Sequence, residues 1–166
     1  MEQNFTVAVR RVPQRALLSA IRYVHDNDAG SVMGDLLSRM RAAAPGLPGV
    51  DGCPFAIYHG EVSADSDGPM EIVRPIADRL LAQAAADGLP DVQVRTEPEH
   101  DEAFVALTLA QTNWPAQLPA LDAIHAHLES LGRLPGGPPR QVMIADWRHV
   151  RADEPACLLS LPILGV

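Results

Sequence analysis

The feature that most constrains this chain is an internal repeat. "RALLSAIRYV" (15–24) has the length and β-branched content of a strand and runs between Pro13 and the turn-rich "HDNDAGS". Val32, Met33, Leu36, Leu37 and Met40 then recur at helical spacing behind Ser31, which reads as the N-cap, and Pro45 and Gly46 stop the helix. "CPFAIYHGEV" and "PMEIVRPI" follow as a strand pair around the polar "SADSDG". The second half repeats this order. "EAFVALTLAQ" (102–111) is a strand, "QLPALDAIHAHLESLG" (117–132) carries Leu118, Leu121, Ile124, Leu128 and Leu131 on one helical stripe, and "RQVMIADW" (140–147) and "ACLLSLPI" (156–163) form the second strand pair.

Equivalent pieces lie about 87 residues apart: Ala16 against Ala103, Asp35 against Asp122, Ile76 against Ile163. Two copies can bury against one another what neither could bury alone. The expected order is therefore strand-helix-strand-strand, twice over. One domain is expected over residues 1–166, with module one at 1–76, an alanine-rich linker at 77–90 that reads as a short extra helix, and module two at 91–166.

Composition narrows the function. Apolar residues make up 47% of the 166 and aromatic residues 4%, a globular composition packed from aliphatic side chains. Thirteen Lys and Arg against 21 Asp and Glu give a net charge of −8, and no basic run could track a phosphate backbone, so direct nucleic-acid binding is disfavoured. The start lacks the pattern of a signal peptide, and "LLSLPILGV" is too short to span a bilayer. The reading is a cytoplasmic protein without membrane contact, with Cys53 and Cys157 as reduced thiols.

Most other motifs carry no chemistry. "DSDG" (65–68) is similar to the start of a calcium loop, but no register puts a glutamate at the twelfth position. His125 and His127 lie two apart on a helix and cannot form an i, i+4 zinc pair, and "HDND" (25–28) suits capping and turn geometry. No phosphate-binding or nucleophile-elbow motif appears, so no metal and no cofactor are expected. One residue stands out. Alternation along 69–76 puts Glu71 on a face with Val73 and Pro75, where an apolar side chain is the ordinary choice. A hairpin closing through "SADSDG" could bring Tyr58 onto the same surface, and a structural alternative pairs Glu71 with Arg22 or Arg74.

"PFAIYHGEVSADSDGPMEIVRP", "TNWPAQLPALDAI" and "DEPACLLSLPI" together resemble the GyrI-like effector-binding domain, which also forms the sensor half of multidrug-responsive transcription regulators. The resemblance covers essentially the whole chain and implies an α+β fold, a pseudo-twofold duplication of a strand-helix-strand-strand module with antiparallel sheets and helices on one side, in a stand-alone version with a groove between the two modules for an amphipathic small molecule, often a lipophilic cation. It places the family's groove glutamate on Glu71 and a groove aromatic on Tyr58, with Trp114, Trp147 and Met143 near further groove positions. A carboxylate in a low-dielectric groove attracts a cation strongly, and aromatic faces add about 0.5–2 kcal/mol. The second half departs from the pattern: "RQVM" stands where relatives carry "REVY", so Met143 replaces a tyrosine, and Leu158 stands where an acidic residue is common. The resemblance leaves two alternatives to simple binding. One is hydrolysis of cyclopropane-bearing toxins with Glu71 as the only catalytic candidate; the other is protein inhibition of the gyrase-inhibitory type. A homodimer is compatible with either.

Overall fold

The computed structural model describes residues 4–165. The α+β expectation holds, with three α-helices and eight strands, every described pairing between named strands being antiparallel. The chain divides into two compact units: Pro13–Glu99, and Met1–Val12 together with His100–Val166. Among the described residues, no helix is long and apolar enough to cross a membrane.

In the contiguous unit, β2 (Arg15–Val24), α1 (Asp26–Ala43), β3 (Phe55–Tyr58) and β4 (Gly68–Ile76) give the expected strand-helix-strand-strand order. Two further elements follow, α2 (Arg79–Asp87) over the alanine-rich linker and β5 (Gln93–Glu97), which the sequence reading did not foresee. The strands pair in the order β3-β4-β2-β5. Alternation sends Ala16, Leu18, Ala20, Val24, Met70, Ile72 and Ile76 to one face, where α1 and α2 cover them with Met33, Leu36, Met40, Ala82 and Ala85. The helix α1 begins five residues before Ser31, with Asp26 and Asp28 in its first turn where the helix dipole favours acids, so "HDND" opens the helix and Ser31 lies inside it. Asp78 caps α2 by accepting from the amides of Leu80 and Leu81 at 2.7 and 3.2 Å.

The second unit repeats the plan with β6 (His100–Thr108), α3 (Leu118–Ser130), β7 (Arg140–Met143) and β8 (Pro155–Pro162), and adds β1 (Ala8–Val12) beside β6. Its helix face buries Ala103, Val105, Leu107, Cys157, Leu159 and Leu161 under Ala120, Ile124 and Leu128. Burial pushes the Cys157 thiol up to about 12.

Ile57 stands opposite Glu71 and Tyr58 opposite Met70, as Val142 stands opposite Leu158 and Met143 opposite Cys157. Even the isolated bridges recur, Gly46 with Ile76 and Pro135 with Ile163. One strand has slid. Glu71 pairs across β2 with Ile21, but Leu158 pairs across β6 with Ala106, so β6 is displaced by two residues from the alignment of Ala16 with Ala103. A two-residue slide preserves which face each side chain occupies, because the strand period is two.

The helical stripe of α3 is narrower than its leucines suggest: Ile124 and Leu128 are buried, whereas Leu131 is 51% exposed. Ile124→Ala should therefore cost about 2–5 kcal/mol in urea unfolding, and Leu131→Ala less than about 0.5 kcal/mol.

Candidate functional site

The helix-free face of the contiguous unit carries Leu17, Ser19, Ile21 and Tyr23 of β2, Glu71 and Val73 of β4, Phe55 and Ile57 of β3, and Arg95 of β5. Glu71 is 6% exposed and both of its carboxylate oxygens are engaged. Oε2 accepts from the Ser19 hydroxyl at 2.5 Å and from Nε and Nη2 of Arg95 at 3.1 and 2.9 Å. Oε1 lies 2.9 Å from Nε2 of His59. An ionised carboxylate can only accept, so His59 carries its proton on Nε2 and donates.

Burial alone would push the Glu71 carboxyl up. Hydrogen bonds from Ser19 and His59, with the charge and hydrogen bonds of Arg95, outweigh it and hold the group below the ordinary carboxylate value. Glu71 is thus a buried, fully solvated-by-protein anion. Its surroundings open outward: the side chains of Arg95 and His59 are 40% and 38% exposed, and Ile21 and Tyr23 on the same face are 52% and 71% exposed.

Local structure sets these positions. The chain leaves β3 at Tyr58, and the amide of His59 donates to Pro69 O at 3.0 Å, which turns the imidazole toward β4. The return strand starts at Gly68, where a Cβ would meet the Glu61 carbonyl oxygen at 2.2 Å, so only glycine fits this crossing. Beside the site a second ion pair, Arg15 with Glu97 at 2.9 Å, is almost fully buried, and the Arg15 guanidinium sits 5.0 Å from the centre of the Phe55 ring.

The register corrects two expectations. Tyr58 pairs with Met70 and so points to the helix side of the sheet, opposite to Glu71; the tyrosine on the face of Glu71 is Tyr23. The carboxylate's partners are Ser19, His59 and Arg95, while Arg22 donates to Ile21 O and Arg74 to Ala44 O. The sequence reading missed Ser19, His59 and Arg95 altogether.

The remaining candidates belong to the other unit. Met143 lies half-buried on its helix side opposite Cys157. Trp147 packs against the core there and donates Nε1–H to Ala156 O at 2.8 Å. Trp114 is 41% exposed in the segment before α3. This unit also buries a carboxylate on its helix-free face. Glu102 is paired with Arg10 at 2.8 Å, and although burial would push it up, His100, Arg10 and Arg140 hold it below the ordinary value.

No protein-family model matches the sequence, and neither does any curated protein. Solved structures do match. The C-terminal domain of EcmrR superposes with a TM-score of 0.72 at 15% identity, over 99% of this chain and 100% of that one. EcmrR in complex with DNA gives 0.74 at 16% identity, over 98% of this chain and 58% of that one. A hydrolase from Listeria innocua gives 0.66 at 12% identity, over 95% and 91%. SAV2435 bound to tetraphenylphosphonium gives 0.51 at 12% identity, over 98% and 95%. At these identities the likeness speaks for the fold, and it agrees with the fold implied by the GyrI-like effector-binding resemblance.

Because both oxygens of Glu71 have partners, glutamine in its place removes the charge and turns one of the two acceptors into an N–H donor that faces either Ser19 and Arg95 or His59. Glu71→Gln should lower stability at pH 7 by about 1–3 kcal/mol in urea unfolding. The folded carboxyl titrates below the ordinary value of 4.5, so its contribution is fully present above that value and is lost as pH falls through the lower folded one. The gap between wild type and Glu71→Gln should accordingly shrink as pH falls below the ordinary carboxylate value.

Proposed function

We propose that this domain binds an amphipathic, lipophilic cationic small molecule on the helix-free face of the Pro13–Glu99 unit, for sensing or sequestration. One observation carries the reading: a buried, ionised carboxylate opens toward exposed Ile21 and Tyr23. Such a surface supplies charge attraction in a low dielectric beside apolar and aromatic contact, the combination that an organic cation with a greasy body requires. The tetraphenylphosphonium bound to SAV2435 supports this ligand class, and EcmrR in its DNA complex supports a sensing role. The net charge of −8 favours a cation and disfavours nucleic acid.

A hydrolytic reading draws on the hydrolase from Listeria innocua. It has less support here. A general base needs a free lone pair within reach of water, whereas Glu71 already accepts from three side chains and is held below the ordinary carboxylate value. Binding, which needs the charge but no proton transfer, suits that state.

Calorimetric titration tests the reading. Tetraphenylphosphonium should bind wild type and lose about ten- to a hundredfold in affinity on Glu71→Gln, the equivalent of about 1.5–3 kcal/mol for a contact with a charged group. A neutral analogue of the same size should bind both proteins alike. Equal loss for both compounds would remove the carboxylate from the binding site.

A further inference from the structure

In the structure a guanidinium of the protein itself sits against the Glu71 carboxylate. Arg95 directs two N–H groups, Nε and Nη2, onto the single oxygen Oε2. Among the described residues its strand, β5, pairs only with β2, and the side chain is 40% exposed, so the guanidinium can rotate into solvent without opening the sheet. The other partners are differently placed. Ser19 sits in the middle of β2 and is 7% exposed, and His59 reaches the opposite oxygen. Loss of Arg95 from the carboxylate therefore leaves Oε1 and one lone pair of Oε2 satisfied, with a vacancy of defined chemistry: a planar cation that donates N–H bonds.

Resting on the binding reading above, we propose that Arg95 is a tethered stand-in for the ligand and that the site takes a lipophilic amidinium or guanidinium by exchange with it. A quaternary phosphonium or ammonium offers charge but no N–H, so it would give up both hydrogen bonds that Arg95 makes. An aryl amidine replaces them and lays its ring against Ile21 and Tyr23, which Arg95 leaves exposed on the same face. The tether also sets specificity. Inorganic and strongly hydrated cations cannot outcompete an arginine held at high effective concentration, because they bring no apolar contact to offset it.

Calorimetric titration with biphenyl-4-carboxamidine, its neutral carboxamide and tetraphenylphosphonium separates the outcomes, on wild type and on Arg95→Gln. We expect the amidine to bind wild type more tightly than the phosphonium does, and Arg95→Gln to tighten the amidine at least tenfold (an effective-concentration term removed) while the carboxamide is unchanged. In wild type labelled with ¹⁵N at arginine, saturation with amidine should move the Arg95 Nε–H resonance to the position of a solvated arginine; this readout holds even if the variant folds poorly. An amidine affinity that is unchanged or weaker in Arg95→Gln, or an Arg95 resonance that does not move at saturation, overturns the exchange while leaving cation binding in place. Failure of wild type and variant to bind either cation would remove the binding reading itself, and the exchange with it.

Discussion

A carboxylate cannot be buried on a sheet face without partners, and the partners of Glu71 come from every strand of its unit. Ser19 lies on β2, Arg95 on β5, His59 directly after β3, and Glu71 itself on β4. Desolvating an isolated carboxylate costs several kcal/mol, so the charge is tolerable only while all four strands hold register. A two-residue slip of β5, harmless to an apolar face, would take Arg95 away from Oε2. The interaction thus fixes the pairing that hydrophobic patterning alone leaves free to slide, and it fixes a side-chain arrangement that suits recognition of charge.

The two units show how such a device drifts. Arg95 stands opposite Leu17 in the contiguous unit, and Arg10 stands opposite Glu102 in the other. Counting back four residues from Ile21 and from Ala106, the partners of Glu71 and Leu158, makes Leu17 and Glu102 equivalent. The edge arginine therefore holds the same place in both units, while the carboxylate stands on β4 in one and on β6 in the other. A long, flexible arginine reaches both positions, which lets Leu158 be apolar without stranding Arg10. In the contiguous unit the same arginine reaches across β2 to β4 and remains 40% exposed; in the other, Arg10 stays beside its partner strand and its side chain is 14% exposed.

The repeat and its element order were legible because they rest on hydrophobic periodicity, and the bounds of β2 were read to the residue. Glu71 was legible as a violation of that periodicity. Tyr58 was misplaced because the face of a hairpin strand depends on how many residues its turn consumes, and residues 59–67 form an irregular connection whose length in register the sequence does not declare. Arg95 was missed because β5 is short and polar, although the alternation of Val92 and Val94 with Gln93 and Arg95 was a usable signal. His59 looked like turn material and Ser19 like a neutral strand residue. Their roles arise from contacts 12 and 52 residues away in sequence, which no local pattern encodes.

The division of the chain into units has a kinetic side. Every strand of the Pro13–Glu99 unit is contiguous, so it can close its sheet as soon as it leaves the ribosome. The other unit cannot. Its edge strand β1 emerges first, yet the strand it pairs with, and the Glu102 that Arg10 neutralises 92 residues away, arrive only after the whole first unit has been made. Until then β1 is an unpaired strand carrying two arginines, Arg10 and Arg11, and those charges keep its exposed backbone edge from recruiting a neighbouring chain during the wait.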